Sequence, residues 1–474
     1  MVLIRLPVAV LTAAAVLTTA CTMGPNYKRP VVEIPSAHRG ATDATQVGAS
    51  ASLADLKWFD VFRDDTLTGL VSTALQQNFE VRIAAERVLQ ARAAYGISRA
   101  DRWPAVDASA GVTAARASQR GANRGLPPEA DTGVSYIDAG FSIGWELDVW
   151  GRVRRLNEAA RAQYLATEEA RRGVITTLVA DVSETYLQLR ALDLELEIAR
   201  RTRDVATDSF RLTETRRTGG VASGLDVRQA EQLLYTATGR IASLEREIAE
   251  TENTLNLLLG RPPGDVSRGR PLEAIQAPPS VPAGLPSDLL ERRPDVRQAE
   301  QQLIAANAQI GAARADYFPR ISLTGFLGVQ SRALTQLLTG GAGVASGSLG
   351  AVAPVFNAGR TRANVELAQA VQREAVVQYQ RAIYTALRDV SDGLVAHTKV
   401  TDERGEQEKL VQALTEARRL ATERYQGGLD SYLPVLDAQR NLFQGELELA
   451  RLRQQELTAI VQLYRALGGG WDPS

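Results

Sequence analysis

Val81–Pro104 reads VRIAAERVLQARAAYGISRADRWP, and Val296–Pro319 reads VRQAEQQLIAANAQIGAARADYFP. Val81, Arg82, Ala84, Gly96, Arg99, Ala100, Asp101 and Pro104 thus recur as Val296, Arg297, Ala299, Gly311, Arg314, Ala315, Asp316 and Pro319. Further on, Gly151-Arg152 returns as Gly359-Arg360 and Asp181-Val182-Ser183 as Asp389-Val390-Ser391. Gly219-Gly220 with Ser223 returns as Gly427-Gly428 with Ser431, and Leu259-Gly260 as Leu467-Gly468. An offset held near 208 to 215 residues over so many positions marks a duplicated structural unit. The 474 residues therefore read as one pseudo-symmetric domain of two halves, although the length alone suggests two or three domains.

The repeated text sits among very long helices. A helical pattern runs from about Asp64 to Arg102, and proline is absent from Glu129 through Arg261 and from Val355 through Leu433. An interior proline costs a helix about 3 kcal/mol, so its absence permits long helices. Between Arg152 and Arg217 only Gly173 interrupts, and at about 1.5 Å per residue such a helix is on the order of 100 Å long. Ile175, Val182, Leu189 and Leu196 recur every seventh residue, with Leu178, Thr185, Leu192, Ala199 and Ala206 as a companion row. Leu436, Phe443, Ala450, Leu457 and Tyr464 repeat the spacing near the C-terminus. Two rows at that period are a coiled-coil seam.

Each half also carries two segments of period two. Val106, Ala108, Ala110 and Val112 alternate with Asp107, Ser109, Gly111 and Thr113, and Phe141, Ile143 and Trp145 with Ser142 and Gly144. Ile321, Leu323, Leu327 and Val329 alternate with Arg320, Ser322, Thr324 and Gln330, before a return segment from about Gly343 to Ala353. One weakly apolar face and one polar face over about ten residues is the pattern of a transmembrane β-barrel strand. Four strands cannot close a barrel, since single-chain barrels begin at about eight, and an open edge in lipid leaves backbone groups unsatisfied. Several chains must then share one barrel, and three would supply twelve strands. A soluble hairpin cap on a coiled coil is the competing reading.

Net charge is −1, which gives no reason to expect a nucleic-acid partner. Arginine outnumbers lysine heavily, only Lys28, Lys57, Lys399 and Lys409 being present, and aromatics are 5% of the chain. Arg5, the apolar run Val8–Leu17 and the small residues before Cys21 form a signal peptide. Cys21 is the only cysteine, which rules out an internal disulfide or a thiolate metal cluster. Leu17-Thr18-Thr19-Ala20-Cys21 reads as a lipobox, cleaved before Cys21 and acylated on its sulfur, although Thr18 departs from the usual leucine or valine. An ordinary signal peptide with an incidental cysteine is the alternative. His38 and His397 are the only histidines, and Gly340-Gly341-Gly343 lacks the lysine and hydroxyl of a phosphate loop, so neither an enzyme nor a metal site is expected.

Four stretches resemble the outer-membrane factor family, the TolC and OprM type of export duct, in its lipoprotein subset associated with RND efflux systems. They are Cys21-Thr22-Met23-Gly24-Pro25-Asn26-Tyr27-Lys28-Arg29-Pro30, Trp145–Arg152, Leu289–Val296, and Arg424–Gly428 with Ser431–Arg440. The resemblance implies a mainly α chain with membrane β: a homotrimer pairing a transmembrane β-barrel, four strands per chain, with a long α-helical barrel. It implies a signal peptide at 1–20, a lipid-anchored leader at 21–57, a first repeat at 58–265, an equatorial linker at 266–286 and a second repeat at 287–474. The strands fall at about 104–118, 134–147, 319–331 and 343–356, and the tips at about 217–225 and 425–433. The segments near Trp58, from Gly260 to Pro286 and after Leu467 would form an equatorial girdle.

The tips have a physical reading of their own. Gly219, Gly220, Gly427 and Gly428 suit helix ends, Ser223 suits an N-cap with Asp226 at the third helical position, and Ser431 repeats Ser223. The resemblance adds that both tips dock onto a periplasmic adaptor serving an inner-membrane RND-type pump. It also implies that Asp437 forms a carboxylate ring at the entrance, and that Asp226 and Tyr425, beside Arg424, latch it shut. Asp437 as a solvated coiled-coil residue and Asp226 as a plain cap are the alternatives. The expected function is the outer-membrane channel of a tripartite efflux system, set in outer-membrane lipid, with no cofactor beyond the lipid on Cys21. A structural coiled-coil lipoprotein and a type I secretion duct are the alternatives. The cargo is not legible.

Overall fold

The computed structural model describes residues 22–40, 52–55, 64–116, 133–275, 282 and 284–469. The acylation expected at Cys21 and the girdle residue Trp58 lie outside them. The principal elements are α1 (Asp65–Gln77), α2 (Phe79–Ala100), β1 (Ala105–Arg116), β2 (Gly133–Leu147), α3 (Arg152–Thr218) and α4 (Gly224–Leu258). They continue with α5 (Leu289–Arg292), α6 (Pro294–Ala315), β3 (Arg320–Ser331), β4 (Gly343–Val352), α7 (Arg360–Gln426) and α8 (Leu433–Ala466). No described helix is long and apolar enough to cross a membrane.

Two compact units divide the chain, and each draws on both repeats. The first comprises the described residues up to Pro30 with Leu89–Ala166 and Ala299–Gln378. Its strands form one antiparallel sheet in the order β1-β2-β3-β4. Val112 lies opposite Ile137, Phe141 opposite Leu327, and Leu327 opposite Ala345. That register gathers the apolar parity of all four strands on one face, where Val112, Phe141, Leu327 and Leu349 are all exposed. A one-residue slip anywhere would break this face, which is why alternation fixes register. On the opposite face Gly140 pairs with Gly328, and the Phe326 ring lies over both: a Cβ added at either glycine would sit within 3 Å of the ring. β4 ends at Val352, short of the expected 356, because Pro354 has no N–H to continue the ladder.

The second unit comprises Val31–Val88, Thr167–Gln298 and Tyr379 onward. Its core is the seam read from the sequence: Leu192, Ala199, Leu244, Phe443, Leu447 and Ala450 form one buried cluster. The expected single helix from Asp64 to Arg102 is two. Asn78 breaks it with extended backbone (φ −58°, ψ 136°), caps α2 through the Val81 N–H, and donates its amide to the Leu258 carbonyl at the end of α4. The second repeat breaks before Pro294 and closes likewise: Arg293 donates to the Ala466 carbonyl at the end of α8, and pairs with Asp295 and Asp389. Asp64 caps α1 and accepts from the Tyr186 hydroxyl at 3.1 Å, while that hydroxyl accepts from the Gly269 N–H at 3.0 Å. Arg268 joins Asp193 and Glu252, which ties the segment after α4 to α3 and α4.

Candidate functional site: helical tips, leader strap and open sheet edges

Both helical tips, in the second unit, close by the same hydrogen bonds. The Val221 N–H bonds the Arg216 carbonyl at 2.9 Å and the Gly220 N–H the Arg217 carbonyl at 3.0 Å. Leu429 and Gly428 repeat this on Arg424 and Tyr425 at 2.9 and 3.0 Å. These are Schellman endings, which need a left-handed residue; Gly220 and Gly428 supply it at φ 76° and 73°. Past each glycine an apolar side chain stands in solvent, Val221 69% and Leu429 71% exposed, followed by exposed Leu225 and Leu433.

The tips then diverge. Ser223 and Asp226 form a full capping box, the Asp226 carboxylate accepting from the Ser223 N–H at 2.9 Å and the Ser223 hydroxyl from the Asp226 N–H at 3.2 Å. The expected repeat of this cap at Ser431 does not form: α8 starts at Leu433 without a side-chain cap. The mate of Asp226 is Pro434, which has neither a carboxylate to return nor an N–H to donate.

Behind the tips, Ala206, Ala230, Leu233, Tyr425, Tyr432, Val435 and Leu436 make a buried cluster. Tyr425 and Tyr432 meet edge-on at 5.4 Å, and the Arg216 guanidinium lies 4.7 Å over the Tyr425 ring while donating to the Tyr425 carbonyl at 3.2 Å. The Tyr425 hydroxyl is buried without a hydrogen-bond partner among the described residues. Burial raises its pKa, the charge on Arg216 opposes that, and nearby Asp226 adds to it. Tyr432 is pushed up to about 12 by burial, and its hydroxyl reaches Gln439, which donates to Ser209 at 3.1 Å. Asp226 is thus held in its own cap while facing Tyr425; Arg424 pairs instead with Asp430; exposed Asp437 accepts from the Asn441 amide at 3.2 Å. Sequence reasoning gave no role to Arg216, Tyr432, Gln439 or Ser209: Arg216 is the repeat mate of Arg424, and Tyr432 and Gln439 lie within the quoted Ser431–Arg440 stretch, but no spacing shows that they meet.

In the first unit the residues after Cys21 form a strap. Buried Arg155 donates to the Met23 carbonyl at 3.2 Å and to the Asn26 side chain at 2.8 Å. Asn307 donates to the Pro25 carbonyl at 2.9 Å. Glu300 takes the Arg29 guanidinium through both oxygens at 2.7 Å and the Tyr27 hydroxyl at 2.9 Å. A Cβ on Gly24 would lie 2.5 Å from the Gly311 Cα, so both glycines are needed where leader and α6 touch. The motif Gly24-Pro25-Asn26-Tyr27-Lys28-Arg29-Pro30 is therefore a docking segment. The sheet of this unit ends in β1 and β4, neither of which has a second strand beside it among the described residues.

An open four-stranded sheet with a lipid-like face, heptad-packed hairpins and two exposed tips make a specific combination, and comparison with known proteins agrees with it. The family model described as outer membrane efflux protein matches residues 70–261 and 285–469. The chain is similar to the solvent efflux pump outer membrane protein SrpC of Pseudomonas putida, 40% identical over 97% of this chain and 98% of that one. The solved structure of the outer-membrane channel OprN is similar with a TM-score of 0.88, at 32% identity over 96% of this chain and all of that one. The open state of the MtrE outer membrane channel of Neisseria gonorrhoeae is similar with a TM-score of 0.84, at 31% identity over 95% of this chain and 99% of that one. The chain belongs to the outer membrane efflux protein family, and is the outer-membrane channel component of an efflux pump.

Proposed function

We propose that three copies of this chain share one duct. Each copy contributes its four strands to a twelve-stranded outer-membrane barrel and its long helices to a helical barrel in the periplasm. The observation that carries this is the sheet: every strand puts its apolar parity on one face, while β1 and β4 lack outer partners among the described residues. In lipid each unpaired edge group costs several kcal/mol, so the edges must find one another between copies.

The duct is passive and noncatalytic. Energy comes from an inner-membrane pump of the RND type, reached through a periplasmic adaptor, and small molecules leave through the lumen. A lipid on Cys21 tethers each copy, and the strap on Arg155 and Glu300 fixes the chain just beyond that tether. The adaptor docks at the tips built on Gly219, Gly220, Ser223, Gly427, Gly428 and Ser431, where Val221 and Leu429 offer it an apolar contact. Asp437 lines the entrance. Asp226, Tyr425 and Arg424 set the closed state, with the unpartnered Tyr425 hydroxyl as the group the Asp226 carboxylate would turn to.

Val221→Asp with Leu429→Asp tests the docking. Both side chains are largely exposed, so the fold tolerates the change; export in cells should fall at least tenfold while bilayer conductance and particle mass stay unchanged. Export at the parental level would remove the tips from adaptor docking. In the same recordings, Tyr425→Phe with Asp226→Ala should raise single-channel conductance, and an unaltered conductance would remove the latch.

A further inference from the structure

The helix-joined end of the sheet carries a belt of aromatic and cationic side chains. The three tryptophans among the described residues, Trp103, Trp145 and Trp150, all lie within three residues of a strand terminus at this end. Trp103 is 69% exposed, and the Trp145 indole, on the apolar parity of β2, donates to the Arg102 carbonyl at 3.1 Å. Tyr317 and Phe356 are exposed beside the same ends of β3 and β4. Tryptophan and tyrosine gather where hydrocarbon meets water. The leader reaches the same level: the Met23 N–H donates to the Trp150 carbonyl at 3.1 Å, and Thr22, next after the cysteine proposed to carry lipid, lies against Gly151.

Charge at this level is out of balance. Across Arg99–Pro104, Glu146–Arg154, Arg314–Arg320 and Pro354–Glu366 the chain has eight arginines and five carboxylates. Four of the arginines are paired within the chain: Arg152 with Glu146, Arg154 with Asp148, Arg320 with Asp316 and Arg362 with Glu366. Arg99, Arg102, Arg314 and Arg360 are exposed, and their guanidinium groups have no ion pair or hydrogen bond among the described residues. The duplication shows how the imbalance arises. Arg360 is the image of Arg152, but the image of Glu146 is Pro354 and that of Asp148 is exposed Phe356. Only Asp101 remains against the four, and pairing between copies cannot cancel the excess, because every copy brings the same one.

We propose that Arg99, Arg102, Arg314 and Arg360 hold the phosphates of anionic phospholipids in the periplasmic leaflet, so that the duct keeps a selected shell of lipid where its strands meet its helices. This deepens the shared-barrel reading and rests on it, because that reading puts the apolar face of the sheet in the outer membrane. Two features select the occupant. The surface is continuous with the apolar face: Trp145 lies level with Leu323 and Leu349 across the sheet, with the Arg102 backbone bonded to its indole. Acyl chains on that face therefore bring their headgroups to the arginines. The charge is also complementary. Guanidinium forks take phosphate oxygens in pairs and are more weakly hydrated than an ammonium, which suits a partly dry surface. Anionic headgroups, unlike zwitterionic ones, offset the uncancelled positive charge. Arg99 and Arg102 are one turn apart, the Arg102 N–H bonding the Arg99 carbonyl at 3.3 Å, so both can reach one headgroup.

Native mass spectrometry of the full-length protein in mild detergent tests the belt, with phosphatidylglycerol and phosphatidylethanolamine of identical acyl chains as probes. Added at equal concentration, phosphatidylglycerol should stay bound to the three-chain particle at least about fivefold more than phosphatidylethanolamine, and rising salt should erode the difference. Arg99→Gln with Arg102→Gln, and Arg314→Gln with Arg360→Gln, should each reduce the preference, and all four together should bring the two lipids to parity. All four side chains are exposed, so the particle mass should stay unchanged; should the fourfold variant not assemble, the two double variants decide. Parity of the two lipids on the parental protein, or an unaltered preference in both double variants, in particles with the mass of three chains overturns the belt and leaves the shared barrel standing. Displacement of the lipid by inorganic phosphate at equal concentration would make the site one for the free ion and overturn the lipid assignment. Particles with the mass of one chain overturn the shared barrel, and the belt with it.

Discussion

Single side chains secure this molecule at points far apart in sequence. Arg155 is 4% exposed and holds the leader by two carbonyls and the Asn26 side chain. Arg155→Ala should release the strap at a cost on the order of 2 kcal/mol, because buried partners lose charged hydrogen bonds. Limited proteolysis would show it as new cleavage between Met23 and Arg39, and an unchanged digest would contradict the clamp. Tyr186 and Tyr432 are each pushed by burial from 10.0 up to about 12. The native state therefore holds these protons more tightly than the unfolded chain. Their contribution to stability is complete below about pH 10 and is lost as pH rises from 10 towards 12. Tyr186→Phe with Tyr432→Phe should flatten that alkaline limb in denaturation followed by helical circular dichroism; an equally steep limb would assign it to other groups. None of this was legible beforehand. A contact such as Glu300 with Arg29 joins residues 271 apart, leaves no periodic trace, and depends on how two elements meet.

Elements were far more legible, because each follows from a local rule. Seven-residue rows placed Leu192, Ala199, Phe443 and Ala450 in the seam, and period two placed Val112 and Leu327 on one face. The misses at this scale were single residues: Asn78, like its mate Arg293, splits an apparent single helix, and Pro434 removes the cap that Ser431 would otherwise make. At the tips, glycine content alone did not say which residue matters. Gly220 has φ 76° with nothing within 4 Å of an added Cβ, whereas Gly219 has no positive φ and would make only ordinary contacts at 3.5 Å. Gly220→Ala should therefore weaken the tip by about 1–2 kcal/mol through backbone strain alone. Gly219→Ala should be close to neutral. Hydrogen exchange of the last turn of α3 separates the two, and equal protection in both variants would refute the Schellman assignment.

For the whole molecule, the duplication gives one chain two related halves. Each half supplies a hairpin and a helical pair, and the halves differ where their roles differ: Arg293 against Asn78, Ala358 against Trp150, Pro434 against Asp226. The family could be inferred from sequence because its motifs fall at element junctions, where turns and caps restrict residue choice. The cargo could not be, because alternating polar residues line any such lumen in the same way. The account depends on the sheet of one chain being unfinished. Native mass measurement of the purified protein in detergent tests this most directly. The account predicts a particle with the mass of three processed chains that conducts ions in a planar bilayer. A folded, non-conducting particle of one chain, stable in buffer without detergent, would contradict it.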